Sequence, residues 1–355
     1  MNMEADPSQR PVVLDIRGLT VSFGSPAGPY SSGRVALSNV SLDVRAGEIM
    51  GLVGESGCGK SLTGLAVMGL LPPTAHVVSG SVFLDTTNLA EASPRRVRSL
   101  RGQSMAMVFQ EPMVALNPLM RVGKQIEEVL SIHGIGSRAE RRQRAAALLG
   151  DVGLTSPKAR AKQYPHELSG GMRQRVMIAM ALAAEPALIV ADEPTTALDV
   201  TVQSQVLQLL SDIRDSHGTA VLLITHDMGV IAEIADRVSV MYAGTVVEVS
   251  SVEDLFHRPQ HPYTEGLLAS IPSRSPHSRN VQELPTIPGQ VPELGSIPNG
   301  CPFAPRCPRA GADCQAQRPQ LELRWPGHYA ACWHPATETG PAALAGSQPD
   351  GGEDR

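Results

Sequence analysis

The sequence predicts an α/β fold, and three observations carry that expectation. The stretch Gly54-Glu55-Ser56-Gly57-Cys58-Gly59-Lys60-Ser61 meets the phosphate-loop template G-x-x-x-x-G-K-S/T at every fixed position. It lies between the apolar run Glu48 to Val53, which reads as a buried strand, and Leu62, Leu65, Ala66 and Leu70, which recur at helical spacing. Further on, two more buried-type runs, Ala187 to Ala191 and Ala220 to Thr225, end in Asp192-Glu193 and His226-Asp227. Strand, glycine loop and helix form the setting in which the motif binds phosphate. The glycines let successive N–H groups point inward, and the helix start adds its positive dipole end. Lys60 then reaches the β- and γ-phosphates and the Ser61 hydroxyl sits on Mg²⁺.

The chain has 355 residues, enough for two domains or for one large domain with an appendage. Hydrophobic residues make up 42% and aromatics 3%, so Val, Leu, Ala, Ile and Met must fill the core. A formal charge of −5 gives no sign of a nucleic-acid surface. No segment reaches the ~18 apolar residues of a membrane span, and Val176 to Ala184 is cut short by Glu185-Pro186. Met1 to Asp6 lacks the basic-then-apolar layout of a signal peptide. The expectation is an intracellular chain whose membrane work falls to a partner.

Taken in order, residues 1–10 read as a loose polar lead-in. Val12 to Ile16 and Leu19 to Phe23 alternate like half-buried strands, Gly24 to Gly33 is a turn, and Val35 to Leu37 and Val40 to Val44 resume the alternation. Phe23 is either core or a platform for a nucleobase. Gly80 to Leu84 reads as a strand. The run holding Arg95, Arg96, Arg98 and Arg101 reads as a solvated helix face. Met105 to Phe109 is a buried-type strand ending at Gln110, and Leu119 to Gln163 turns helical, with Ile126, Val129 and Leu130 on an apolar face. Ser169, Gly170 and Gly171 open the apolar helix Val176 to Ala184. They read either as an N-cap or as a second anion site. Asp192 can hold Mg²⁺ and Glu193 can polarise an attacking water; the plain alternative is a pair of strand-end carboxylates capping the next helix. A helix from Val200 to His217 follows Asp199, and His226 at its strand tip is a candidate γ-phosphate contact.

In this order and at this spacing, the phosphate loop, Gln110, Leu168 to Gln174, Leu188 to Pro194, Ala197-Leu198-Asp199 and His226 resemble an ABC-transporter ATPase subunit. The resemblance covers about residues 12–268. It implies a phosphate-loop ATPase of ABC type with an antiparallel β subdomain and a helical insertion at about 112–170. It further implies a head-to-tail pair with a second ABC ATPase subunit, each ATP lying between one subunit's phosphate loop and the other's Ser169-Gly170-Gly171. On that basis Phe23 stacks on adenine, Gln110 senses Mg²⁺ and the γ-phosphate, Asp192 and Ser61 serve Mg²⁺, Glu193 is the catalytic base, His226 pins the γ-phosphate and Asp199 communicates across the pair. Phe256 to Thr264, with its His-Pro-Tyr, and Phe109 to Pro118 resemble the oligopeptide, dipeptide and nickel importer ATPases. That resemblance implies two membrane permeases, an extracytoplasmic substrate-binding protein, and a place on the cytoplasmic face of the cell membrane. Peptide is the leading substrate. A nickel or other small-solute importer of the same group, or a soluble ABC ATPase without permeases, is the alternative.

Four of the five cysteines, Cys301, Cys307, Cys314 and Cys332, fall in a loop-rich extension spanning 269–334. Clustered thiols in a stretch with little core point to a metal that folds it. The spacing C-x5-C-x6-C-x17-C lacks the short pairs usual for zinc, and cysteines on flexible loops also suit a 4Fe–4S cluster. The resemblance favours the cluster, with zinc or free thiols as alternatives. Pro335 to Arg355 reads as a disordered tail.

Overall fold

The computed structural model describes residues 10–24, 34–196, 198–271, 286–294 and 297–336. Most of the lead-in, most of the Gly24 to Gly33 turn, Ala197 and nearly all of the expected tail lie outside them. Strands β1 (Val12–Phe23) and β2 (Arg34–Arg45) pair antiparallel. Each is continuous where the alternation of the sequence breaks. Gly18 and Asn39 take positive φ at register shifts, which carry both strands through without ending them. After β3 (Ile49–Val53) and α1 (Lys60–Val67) come β4 (Ala75–Leu84) and β5 (Thr87–Asn88), which complete a four-stranded antiparallel sheet in the order β2-β1-β4-β5.

Helix α2 (Pro94–Leu100) carries the arginine run and leads to β6 (Met105–Val108). Four helices follow: α3 (Pro112–Ala115), α4 (Val122–Ile132), α5 (Arg138–Asp151) and α6 (Pro157–Arg160). Ser137 and Glu140 close a capping box on α5. The buried Gln125 side chain braces the loop before α4, accepting from Asn117 N and donating to Asn117 O and Met120 O at 2.8–2.9 Å. Helix α7 (Gly170–Leu182) runs back to β7 (Leu188–Asp192), then α8 (Val200–His217), β8 (Ala220–Thr225) and α9 (Met228–Ile234). Two strands that no sequence signal above marked, β9 (Arg237–Tyr242) and β10 (Thr245–Ser251), form the next hairpin. Helices α10 (Val252–His257) and α11 (Pro262–Ala269) follow, and then the cysteine-rich stretch with α12 (Ala312–Ala316), β11 (Glu322–Trp325) and β12 (His328–Ala330).

The second sheet has the order β11-β12-β10-β9-β3-β8-β7-β6. Its centre is parallel: β3 pairs with β8 and β9, and β7 with β6 and β8. Helices and the other sheet cover both faces, so β3, β7 and β8 are buried at every residue and read as unbroken apolar runs. One core lies between this sheet and helices α4, α5, α7 and α8; the other lies against the antiparallel sheet and α1. The extension adds β11 and β12 to the main sheet through antiparallel pairing of β12 with β10. Among the described residues no helix is long and apolar enough to cross a membrane.

Candidate nucleotide site

Parallel pairing brings the carboxyl ends of β3, β8, β7 and β6 to one edge, the place where open α/β sheets bind ligands. The phosphate loop leaves β3 there. Gly59 caps α1 with φ of 106°, and a Cβ on Gly54 would stand 2.1 Å from Met241 O, so neither position accepts a side chain. The buried Lys60 ammonium donates to Gly54 O (2.8 Å) and Glu55 O (3.0 Å). Cys58 is fully buried in the core, so that position serves through its backbone and packing. Ser61 Oγ donates to Asp192 Oδ1 at 2.9 Å, which joins the loop to the end of β7. Burial pushes the Asp192 carboxyl up from its usual range, against the opposing pull of that hydrogen bond.

Glu193 lies at the hub of three side chains. Gln110 Nε2 and Thr196 Oγ1 both donate to Glu193 Oε2 at 2.8 Å, and His226 Nδ1 lies 3.0 Å from Oε1. Thr196 is a member of this cluster that the sequence did not mark. Burial raises the Glu193 carboxyl, but the hydrogen bonds from His226 and Thr196 outweigh it and hold it below the usual carboxylate range. The residue has φ of 45°, unusual for a glutamate, and its N–H donates to Ile224 O at 2.8 Å. A left-handed non-glycine residue costs of order 1–3 kcal/mol, here set against the fixed direction of the carboxylate. The arrangement can bind phosphate at the loop, hold a divalent cation at Ser61 and Asp192, and orient a water at Glu193.

Among the described residues none of the other predicted residues is hydrogen-bonded to this cluster. Phe23 ends β1 half-buried against the core beside the antiparallel sheet. Ser169 is exposed and caps α7, accepting from Met172 N at 3.4 Å; Gly170 is exposed and Gly171 half-buried. Asp199 is exposed and caps α8, accepting from Val202 N at 3.0 Å. Among the described residues no hydrogen bond joins Ser169, Gly170 or Gly171 to the phosphate loop.

A family model described as "ABC transporter" matches residues 37–196, and one described as "Oligopeptide/dipeptide transporter, C-terminal region" matches residues 247–314. A probable peptide ABC transporter ATP-binding protein of Sinorhizobium fredii is 51% identical over 334 residues, 94% of this chain and 98% of its own. The chain belongs to the ABC transporter ATP-binding proteins. The dipeptide transport ATP-binding protein DppD of Bacillus subtilis is 45% identical over 95% of this chain and 99% of its own. The solved dimeric ABC cassette MJ0796, in a post-hydrolysis state with ADP and Pi, is 30% identical with a TM-score of 0.59, over 67% of this chain and 98% of that one. The chain is thus an ABC ATPase in fold and in chemistry, and such ATPases use ATP with Mg²⁺.

The four cysteines of this ABC ATPase's extension line one small cavity together with His261, Phe303, Trp333 and His334. Cys301 N donates to Cys314 O at 2.7 Å, and Arg309 N donates to Cys307 Sγ at 3.4 Å. A Cβ on Gly300 would stand 2.2 Å from Cys314 O, which fixes that position as glycine. Burial and then the neighbouring thiols push Cys332 up to about 12, and burial raises Cys301 and Cys307. A bound cation lowers such thiols. Asp313, Cys314 and His334 approach within 4.8 Å, and the 3.0 Å contact of His334 with Asp313 accounts for that grouping.

Proposed function

We propose that this ABC ATPase energises the uptake of di- and oligopeptides through two separate membrane permease subunits. The observation that carries the chemistry is the convergence of Lys60, the Ser61–Asp192 pair and Glu193 at one sheet edge. Lys60 exchanges its loop carbonyls for the β- and γ-phosphates of ATP. Ser61 and Asp192 would hold Mg²⁺, which when bound would neutralise phosphate charge. Glu193, already ionised and directed by Gln110, Thr196 and His226, orients the attacking water.

In the proposed assembly a second ABC ATPase subunit, identical or related, lies head to tail and presents its signature to this site. The exposure of Ser169, Gly170 and Asp199, each otherwise a plain helix-start residue, supports that reading. Phe23, half-buried at a strand end, is proposed to stack on adenine. A permease docks near Gln110, where Met113, Val114 and Leu119 leave apolar side chains exposed. The subunit sits peripherally on the cytoplasmic face of the membrane, and an extracytoplasmic binding protein delivers the substrate. Residues 11–268 form the ATPase domain, with the insertion at about 112–170, and 269–334 the extension. The relatives' peptide-transport names and the matching C-terminal region support the substrate class.

We place a 4Fe–4S cluster on Cys301, Cys307, Cys314 and Cys332, where it would be structural or regulatory, on the strength of the four thiols lining one cavity and their C-x5-C-x6-C-x17-C spacing in the sequence. The experiment reconstitutes the chain with its permeases and measures peptide-stimulated ATP hydrolysis, alongside anaerobic iron, sulfide and zinc analysis. Stimulation by nickel but not by peptide would replace the substrate. One zinc and no sulfide would replace the cluster.

A further inference from the structure

Arg306, one residue before Cys307, reaches from the cysteine-rich extension into the phosphate loop. Its guanidinium pairs with both carboxylate oxygens of Glu55, Nη1 to Oε2 at 2.7 Å and Nη2 to Oε1 at 3.0 Å. The Arg306 side chain is 4% exposed. The remaining donors are also used: Nε donates to Pro288 O at 2.7 Å, Nη2 to Ile287 O at 3.2 Å and Nη1 to Tyr242 Oη at 3.4 Å. The group stacks over Tyr242 and Phe303. A planar fork held on every side is a rigid bridge.

The Arg306 backbone belongs to a short 3-10 turn, Ala304–Arg306, tied at both ends to cysteines. Ala304 N donates to Cys301 O, and Cys307 N donates to Ala304 O. Phe303, which lines the cysteine cavity, also packs on Tyr242 and Tyr263. The Tyr263 hydroxyl accepts from Glu55 N at 2.8 Å, a second link to the same loop residue.

We infer that Arg306 is a positioning residue of the phosphate loop, and that through Glu55 it couples the state of the four-cysteine module to nucleotide affinity. Two physical consequences follow. Arg306 fixes the loop in its phosphate-binding curl. It also neutralises a carboxylate that would otherwise stand beside the polyphosphate of ATP. By linkage, whatever orders the turn between Cys301 and Cys307 tightens ATP binding, and ATP in return protects the module. The coupling to the four-cysteine module rests on the metal reading above; the role of Arg306 toward Glu55 does not.

The test uses the full chain and a fluorescent non-hydrolysable ATP analogue. In R306M the Kd should weaken about tenfold, within the usual range of coupling between sites. Adding Glu55→Gln should restore it to within about threefold, because the stranded carboxylate is gone. A purely structural role for Arg306 would not be rescued in this way. In the wild type, stripping the metal with a chelator should weaken the Kd about fivefold, and the analogue should tighten metal retention by the same factor in equilibrium competition with the chelator. If R306M does not fold, E55Q alone carries the test and should abolish that reciprocal dependence. An unchanged Kd in R306M, a double variant as weak as R306M, or full metal dependence persisting in E55Q each overturn the inference. Purification without iron, sulfide or zinc removes the coupling to metal and the cluster reading together, while R306M and R306M/E55Q still decide the role of Arg306.

Discussion

Glu248 and His328 offer a sharp test of how the extension is held. Both side chains are fully buried. The Glu248 carboxylate accepts from Gln260 N at 2.6 Å, from His261 N at 3.0 Å and from His328, whose Nε2 lies 2.7 Å away. One carboxylate thereby ties β10, the His-Pro-Tyr segment and β12. In E248Q an amide NH₂ replaces one oxygen and faces a backbone N–H or the imidazole. The change loses a hydrogen bond to a charged group, about 1.5–3 kcal/mol, and strands a buried donor, about 1–3 kcal/mol. Discounting for relaxation, the expected cost is about 3 kcal/mol. The chain's two tryptophans, Trp325 and Trp333, both lie in the extension, so their fluorescence in urea follows this region. With m in the range of roughly 1–3 kcal/mol/M, the midpoint should fall by about 1 M. H328F should cost about 2 kcal/mol through the same lost bond, and the double variant less than the sum of the two. A midpoint within about 0.2 M of wild type in E248Q, or strictly additive effects, would refute this account.

Two further predictions concern protons and metal. His261 is fully buried, its Nδ1 accepts from Tyr263 N at 3.1 Å, and burial, reinforced by nearby Arg309, pushes its pKa down to about 3. The unfolded chain therefore binds a proton between about pH 3 and 6.5 that the folded chain refuses. This contribution to stability is complete above pH 6.5 and falls as pH drops, by about 1.4 kcal/mol per unit; H261N, which keeps an acceptor at the cap, should show a shallower loss in denaturation between pH 7.5 and 5.5. An identical slope would reject it. S61A removes the donor to Asp192, so Asp192 should hold its proton more readily. Hydrolysis should then need at least about tenfold more Mg²⁺, more at pH 6 than at pH 8, while folding stability changes by about 1 kcal/mol or less. An unaltered Mg²⁺ titration would contradict the role of Ser61.

Much of the fold could be read from local pattern. Buried parallel strands announce themselves as apolar runs because both faces are covered, as Leu188 to Ala191 and Ala220 to Ile224 illustrate. Lys60, Ser61, Asp192, Glu193 and His226, which the structure brings to one sheet edge, could be singled out because phosphate chemistry demands particular residue types at strand ends. Less legible were features that depend on long-range pairing. Strands β9 and β10 carry buried polar residues, Ser239, Glu248 and Ser250, which interrupt the apolar pattern. Strands β11 and β12 are short and mixed in polarity, and only their pairing with β10 defines them. Thr196 joins the site only because the folded chain brings its hydroxyl to Glu193. Arg306 carries no local signal, because its partner Glu55 lies 251 residues away in the sequence.

In the proposed function Glu193 activates the water that attacks ATP at this sheet edge. The most direct measurement compares E193Q with wild type for ATP binding and turnover in the same preparation. The account predicts binding within about threefold of wild type, turnover reduced by at least ~10²-fold, and a closed pair of subunits that persists with ATP. Near-normal turnover in E193Q would contradict it.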